Sequence, residues 1–315
     1  MEIGLVQWFP HGDIARVRRV RRTLERLGIP HLRTHLSWAD WCRPDGPAWI
    51  ARMLRELRGL DILPVLHYTP PSLGEKPYTS SVPRDLGAFA YFVRRMCDDH
   101  GGSFTHVQLW NEPTTFCDWD RSADPWWRRF AAMVVPAAAE ARAAGKEVVL
   151  AGISPPDGAL LGLGDPERPH FLEIMEEEGA LRDVDVVAFH GFPGTPHWSE
   201  GWGGWDGEIA ALRRWAAARG MRTWITETGS SRLMESDRVL ELLRAVTAAS
   251  TGGVERLYWY SVEDVAWMAQ REINLPHWGP DEHDYHTGLT PDLERTLRRL
   301  VRPDEAPARV AASAG

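Results

Sequence analysis

The feature that most constrains the fold is a unit that recurs eight times: a short apolar run, a polar loop and then an amphipathic helical segment. The apolar runs predict strands over 3–8, 31–36, 62–67, 105–110, 148–153, 186–190, 222–226 and 256–260. Strands that alternate with helices form parallel sheets through right-handed crossovers. Eight such units within 315 residues predict an α/β protein that folds as a single (β/α)₈ TIM barrel.

The connections between these units are of two kinds. Helices are predicted over 14–27, 49–57, 86–99, 126–144, 170–178, 209–219, 238–249 and 292–301, and several stop at a glycine such as Gly28 or Gly220. Turns from helix to strand are therefore short, whereas loops from strand to helix are long and rich in Pro, Gly and Trp. In (β/α)₈ barrels the second kind of loop builds the active site. We expect the barrel to span residues 1–302 and the Ala- and Pro-rich tail, residues 303–315, to be disordered.

Composition narrows the classes of function. The net charge of −8 and the lack of a basic stripe with aromatic platforms speak against nucleic-acid binding. No segment is apolar for long enough to span a bilayer, so we expect no membrane contact. Three cysteines without a C-x-x-C pair, and an N-terminus without signal-peptide features, predict a cytoplasmic protein with free thiols. The sequence leaves the oligomeric state open.

Polar side chains stand at the predicted strand ends, where an ordinary barrel core would carry Val, Ile and Leu. They comprise two carboxylates, an amide, two imidazoles, a guanidinium and an indole: Arg33, His67, Asn111, Glu112, His190, Glu227 and Trp259. A surface turn is the simpler reading of Asn111, Glu112 and Pro113, because Asn and Pro are common turn residues. A closed barrel, however, brings all eight strand ends to one rim, so Glu112 and Glu227 should face each other.

Glycoside hydrolysis typically requires two carboxyl groups that face each other across the bond to be cleaved. One must be protonated while the other is ionised; like-charge repulsion can hold the proton on the first, and a nearby Arg33 can keep the second ionised. Asn111 can hold a sugar hydroxyl, and Trp259 can form the floor of a sugar pocket. The 16 tryptophans of the chain either stack on sugar faces or fill the core. Those of the sixth loop, Trp198, Trp202 and Trp205, could line further subsites.

Two motifs carry a resemblance to clan A of the retaining glycoside hydrolases, in particular to families 5 and 39. They are WNEP at 110–113 on the fourth strand and TETG at 226–229 on the seventh. The resemblance implies that Glu112 is the general acid/base, that Glu227 is the nucleophile and that Asn111 binds the sugar 2-hydroxyl. It also implies cleavage of a β-glycosidic bond without a cofactor or metal. The positions that match family 5 around the first sugar subsite are Arg33, His67, His190 and Trp259.

One position departs from the clan pattern. Many members carry a tyrosine two residues after the sixth-strand histidine, where its hydroxyl contacts the nucleophile, but this chain has Phe192. Tyr260 and Tyr68 are candidate substitutes for that hydroxyl. Because a secretion signal is not expected, small oligosaccharides or glycoconjugates are the expected substrates.

Two alternatives belong to other classes. The first is a metal-dependent TIM-barrel hydrolase whose ligands would be His67, His190 and the polar residues of the eighth loop: His277, Asp281, His283, Asp284 and His286. The second is a sugar-binding protein on a non-catalytic scaffold. The irregular spacing of the eighth-loop residues argues against the first, and the two intact carboxylates argue against the second. We therefore expect a carbohydrate-cleaving enzyme.

Overall fold

The computed structural model describes residues 1–115, 118–153, 170–192, 204–230, 235–264 and 287–302. Eight strands pair in sequence order, every neighbouring pair is parallel, and β1 pairs with both β2 and β8. The sheet therefore closes, which confirms the predicted (β/α)₈ barrel. The strands are β1 Glu2–Val6, β2 His31–Ser37, β3 Asp61–His67, β4 His106–Leu109, β5 Glu147–Ile153, β6 Val186–Gly191, β7 Arg222–Gly229 and β8 Arg256–Tyr260.

Helices lie between the strands. They are α1 Ile14–Leu27, α2 Trp38–Trp41, α3 Gly46–Glu56, α4 Gly87–His100, α5 Arg128–Ala143, α6 Phe171–Glu177, α7 Gly204–Ala217, α8 Glu235–Thr251 and α9 Pro291–Val301, with a 3₁₀ turn at Gly101–Ser103. The short helix α2 was not predicted; it begins directly after β2, where the Ser37 side chain accepts a hydrogen bond from the Asp40 backbone N–H. None of the helices in the described ranges is both long and apolar enough to cross a membrane.

The strand side chains alternate between two cores. One core fills the barrel interior, and the larger one lies between the strands and the helices. The interior core consists of Val6, Trp8, Leu63, Val65, Val149, Val186, Ala188, Trp224 and Tyr258. This period of two is a property of extended backbone, and it decides which strand residues can reach a site inside the barrel.

The amino-terminal end of the barrel is plugged. Trp224 lies there with its ring 4.8 Å from that of His106, and the guanidinium of Arg256 lies 4.5 Å from the Trp224 ring centroid. Arg256 also contacts Glu2 at 2.6 Å and Asp61 at 3.0 Å. Rings and ion pairs therefore fill this end of the barrel.

The loops differ in length as expected. The connections from helix to strand cover residues 28–30, 57–60 and 144–146, whereas the connections after β3 and β4 cover residues 68–86 and 110–127. The turn after α1 depends on Gly28, whose φ of 74° lies in the left-handed region. Long loops thus gather at the carboxyl-terminal end, above the open side of the barrel.

A pair of glycine substitutions tests this packing. A Cβ on Gly4 of β1 would lie 2.5 Å from the Tyr258 ring, which is fully buried in the barrel interior. We expect Gly4→Ala to lower the free energy of unfolding by about 1–3 kcal/mol through overpacking. Gly207 on α7 has open space around it, so Gly207→Ala should raise stability by up to about 1 kcal/mol through helix propensity. Urea denaturation measures both, and equal midpoints for the two variants would contradict the packing described.

Candidate active site

Arg33 connects three strands inside the barrel. It is the third residue of β2 rather than a residue of the strand end, and it is fully buried. Its long side chain nevertheless reaches the site. One guanidinium nitrogen donates to Glu227 Oε2 at 2.6 Å, the second donates to Asn111 Oδ1 at 2.6 Å, and Nε donates to Gln108 Oε1 at 2.9 Å. The guanidinium therefore holds β7 and the end of β4 in a fixed relation.

His190 makes a second connection. Its Nδ1 lies 2.7 Å from Glu112 Oε1, and its Nε2 lies 3.0 Å from Thr226 Oγ1. The ring occupies space beside Gly152 of β5, where a Cβ would come within 1.8 Å of Nε2. A glycine is therefore required at position 152 for the imidazole to reach Glu112.

These two connections are complementary. Arg33 joins Glu227 to Asn111, the chain neighbour of Glu112, and His190 joins Glu112 to Thr226, the chain neighbour of Glu227. The Glu112 and Glu227 side chains keep 14% and 11% of their surface exposed, whereas Arg33 and His190 keep none. The two carboxyl groups thus retain side-chain surface that a ligand can touch.

The backbone that carries Glu112 is strained. Trp110 and Glu112 have φ values of 71° and 35°, in the left-handed region that residues with a Cβ rarely adopt. The Trp110 N–H donates to the Leu66 carbonyl at 2.8 Å and the Glu112 N–H donates to the Gly152 carbonyl at 3.0 Å. These bonds to β3 and β5 hold the bend that turns Glu112 toward the barrel axis. Such strain costs on the order of 1–3 kcal/mol per residue and clusters at functional sites.

Burial sets the charge states of the two acids. It raises the pKa of Glu112 to about 7, against the opposing charge of Arg33. Burial also raises the pKa of Glu227, but the charge of Arg33 and its hydrogen bond to Glu227 oppose that rise. Arginine stays protonated in proteins, and a buried guanidinium without an anion is strongly destabilising. We therefore assign the negative charge to Glu227 and the proton to Glu112.

Like-charge repulsion is not the main cause of this division. The expectation was that one ionised glutamate would raise the pKa of the other, but desolvation by burial is the larger effect on both carboxyl groups. Burial also lowers the pKa of His190 to about 3, which keeps this imidazole neutral beside Glu112. The salt bridge from Arg33 to Glu227, by contrast, is the one anticipated from the sequence.

An aromatic cluster lies on and just beyond β1–β3, next to Arg33, whose guanidinium is 5.0 Å from the Trp8 ring centroid. The rings of Trp8, His35 and His67 lie 5.3–6.0 Å apart, and Tyr68 stacks on His67 at 3.5 Å. Within the described part of the chain, neither ring nitrogen of His67 has a hydrogen-bond partner, and burial lowers the pKa of this histidine well below its ordinary value. Trp8 was not among the predicted site residues. The alternation of β1 could have placed it, because Trp8 continues the inward series of Gly4 and Val6.

The prediction that Trp259 forms the pocket floor is wrong. Trp259 is fully buried and belongs, with Leu257, to the core between strands and helices. Alternation turns Tyr258 and Tyr260 inward instead, and Tyr260 is half-buried with its ring 6.2 Å from that of Phe192. Tyr260 therefore occupies the position expected of Trp259. Whether its hydroxyl or that of Tyr68 replaces the missing tyrosine at position 192 stays a prediction.

Several predicted residues lie outside the described residues. Trp198 and Trp202 do, as does the side chain of Trp205, and so do all five eighth-loop residues: His277, Asp281, His283, Asp284 and His286. Across the ranges that are described, no three His, Cys, Asp or Glu side chains converge as metal ligands would. Both ring nitrogens of His190 are already engaged with protein oxygens.

Comparisons with known proteins place the fold. No family model matches the chain, and no curated protein matches its sequence. Among solved structures, an exo-β-1,4-mannosidase from an Opitutaceae bacterium superposes with a TM-score of 0.69 at 14% identity, covering 96% of this chain and 59% of its own. A family 39 glycoside hydrolase from Bacteroides cellulosilyticus gives 0.59 at 18%, covering 87% and 59%. An endo-1,4-β-D-mannanase from Thermotoga petrophila gives 0.64 at 13%, covering 96% and 99%.

These matches confirm the resemblance to clan A glycoside hydrolases at the level of the fold. The chain spans about three fifths of the length of the first two structures and nearly the full length of the third. At identities of 13–18% the likeness is one of architecture. The case for a chemical function therefore depends on the site described above.

The central role of Arg33 can be tested by removing its charge. Arg33→Met leaves the buried Glu227 carboxylate and the Asn111 amide without their partner, so we expect the free energy of unfolding to fall by about 3–5 kcal/mol. The matched control is Arg95→Met, which breaks an exposed pair with Asp99 on α4 and should cost about 0.3–0.5 kcal/mol. Chemical denaturation at pH 7 measures both losses. A loss for Arg33→Met no larger than that of the control would contradict the buried pair.

Proposed function

We propose that this protein is a retaining glycoside hydrolase that cleaves a β-type glycosidic bond through a glycosyl-enzyme intermediate. The observation that carries the proposal is the pair of carboxyl groups in different environments: Glu227 ion-paired with Arg33 at 2.6 Å, and Glu112 beside a neutral His190 at 2.7 Å. One ionised and one protonated carboxyl group on the same barrel rim is the arrangement that double displacement at an anomeric carbon requires.

In the first step the Glu227 carboxylate attacks the anomeric carbon. The bond from that carbon to the leaving oxygen breaks, and Glu112 transfers its proton to the departing oxygen. The salt bridge to Arg33 keeps Glu227 ionised before the attack and orients it, because the guanidinium is itself fixed by Gln108 and Asn111. The products are a glycosyl ester on Glu227, the free leaving group and an ionised Glu112.

In the second step Glu112 acts as the base. It takes a proton from water, the hydroxide oxygen bonds to the anomeric carbon, and the ester bond to Glu227 breaks to release the sugar. His190 stays within hydrogen-bonding distance of Glu112 Oε1, so it can hold the carboxyl group in one orientation while that group loses and regains its proton. Retention predicts that the two carboxyl groups lie about 5–5.5 Å apart.

The substrate class follows from the sugar-binding groups and from the structural neighbours. The Asn111 amide can donate to a sugar hydroxyl, and the half-buried ring of Tyr260, which packs against the interior core, offers a flat face. Two of the neighbours act, by their descriptions, on β-1,4-linked mannose. We therefore propose small β-linked oligosaccharides or glycoconjugates as substrates, with β-mannosides and β-glucosides to be tested first.

A screen of nitrophenyl glycosides tests the reaction class. We expect hydrolysis of at least one β-glycoside and of none of the matching α-glycosides, because one face of the sugar must meet Glu227 and the other must meet Glu112. Proton NMR at early times should show the β-anomer of the product first. An α-anomer appearing first would refute retention. Activity that is lost with a chelator and restored by a divalent metal would instead favour the metal-dependent alternative.

The role of Glu112 has its own test. Glu112→Gln should lower kcat/KM about 10²- to 10⁴-fold for glycosides with poor leaving groups. It should leave the formation of the intermediate from dinitrophenyl glycosides nearly unchanged. The wild-type kcat/KM should fall above about pH 7, because Glu112 must be protonated and its pKa is about 7.

That alkaline limb should disappear in the variant when a dinitrophenyl substrate is used. Glu25→Gln, which alters an exposed ion pair with Arg21, is the control and should retain the wild-type profile. Equal losses on poor and good leaving groups would show that Glu112 is not the acid.

A further inference from the structure

Asp118 is a third carboxyl group in this site, in the loop that follows β4. Its backbone carbonyl accepts the indole N–H of Trp110 at 2.7 Å, and its Oδ2 accepts from Asn111 Nδ2 at 3.3 Å. Its Oδ1 is buried and, among the described residues, has no hydrogen-bond partner. Leaving such an atom unpartnered costs about 1–3 kcal/mol, and native proteins seldom retain one without a role.

Packing and hydrogen bonds of the loop fix the position of Asp118. Trp110 packs edge-to-face on Trp119 at 5.4 Å, and Trp119 Nε1 donates to Asp124 Oδ2 at 3.2 Å. Trp127 Nε1 donates to the Pro113 carbonyl at 2.8 Å. Buried indoles thus fix the loop on both sides of Asp118. The unpartnered oxygen is held where it is by the fold.

The other two aspartates of the loop differ from Asp118. The Asp120 carboxylate accepts from the Tyr78 hydroxyl at 2.9 Å and pairs with Lys76 at 2.6 Å. These contacts outweigh the effect of burial and lower the pKa of Asp120 to about 2. Asp124 accepts from the Phe130 backbone N–H at 2.9 Å. Of the three aspartates, Asp118 is the one with a buried side-chain oxygen that has no hydrogen-bond partner among the described residues.

The surroundings of Asp118 favour its protonated form. Burial raises its pKa well above the ordinary range, and the negative charge of Glu227 raises it further. Arg33, the buried cation of this site, is already compensated by Glu227. A protonated carboxyl group can donate and accept hydrogen bonds, which suits it to a sugar hydroxyl.

The hydrogen bonds of Asn111 indicate where a partner of Asp118 Oδ1 would lie. The amide oxygen of Asn111 accepts from Arg33, and one hydrogen of its Nδ2 goes to Asp118. An amide NH₂ carries two donors, so one remains for a substrate hydroxyl. The unpartnered Oδ1 therefore belongs to the same carboxyl group that Asn111 Nδ2 contacts, next to an amide with one donor left for a sugar hydroxyl.

We propose that Asp118 is a substrate-binding residue whose Oδ1 binds a hydroxyl group on the same sugar ring that Asn111 contacts. It would thereby determine which sugar configurations the site accepts. This inference rests on the proposed glycosidase function. The competing role is that Asp118 only positions Asn111 and never touches the substrate.

Monodeoxy substrates separate these roles. The best aryl β-glycoside of the screen is compared with its 2-, 3-, 4- and 6-deoxy analogues, on wild type, Asp118→Ala and Asp118→Asn. We expect Asp118→Ala to lower kcat/KM on the parent glycoside about 10- to 100-fold. It should leave kcat/KM within about threefold of wild type on the one analogue that lacks the bound hydroxyl. Asp118→Asn keeps the shape and a donor, and should lose less than about fivefold on the parent.

The control is Asp120→Asn, an aspartate of the same loop that faces Lys76 and Tyr78 rather than Asn111. It should leave the order of the deoxy substrates unchanged. An equal loss by Asp118→Ala on every substrate would overturn the inference in favour of a positioning role. No loss on any substrate would overturn it as well.

A crystal structure of the enzyme soaked with the glycoside tests the inference independently of whether Asp118→Ala folds. In Glu112→Gln, which turns over slowly, the bound glycoside should place a ring hydroxyl oxygen within about 3.2 Å of Asp118 Oδ1. A water molecule on that atom, or no sugar oxygen within reach, would overturn the inference. If wild type hydrolyses the parent glycoside while these readings fail, the inference fails alone. If wild type hydrolyses no glycoside, the proposed function itself fails, and the inference falls with it.

Discussion

A buried guanidinium is the constraint on which the rest of this site depends. Arg33 sits in the interior of the barrel with no exposed surface, and a charge in that position requires an anion close by. Glu227 supplies it at 2.6 Å, while Gln108 and Asn111 accept the remaining directed hydrogen bonds. One side chain therefore decides which glutamate is ionised and fixes the amide that stands next to the other.

The proton on the second glutamate follows from that arrangement. None of the described cations contacts Glu112 directly, so burial acts on its carboxyl group almost unopposed and favours the neutral form. Its contact with His190, which burial also keeps neutral, orients the carboxyl group without supplying a positive charge. The division of charge between two glutamates thus comes from unequal compensation of burial. Repulsion between the two acids contributes less than burial to their raised pKa values, contrary to the expectation from the sequence.

Much of the fold and part of the site could be predicted from the sequence. The eightfold alternation gave the barrel, and the strand ends named Asn111, Glu112, His190 and Glu227, which the structure places in one hydrogen-bonded network. Trp259 was misplaced because a strand boundary alone does not say which face a residue takes. Asp118 was missed because it lies in a loop, where no periodicity applies, and its nearness to Asn111 depends on how buried tryptophans fold that loop.

What the sequence determined by itself is the order of chemical groups along the chain: parallel strands, each followed by a helix, with acids and an amide at particular strand ends. Hydrophobic periodicity is a local property, so it can be read without coordinates. Only the tertiary structure decided that the guanidinium of Arg33 meets Glu227, that Tyr260 rather than Trp259 faces inward, and that Asp118 joins the site. These are contacts between residues distant in sequence or on irregular backbone, and they depend on barrel closure, strand register and the shared burial of charges, which no local pattern encodes.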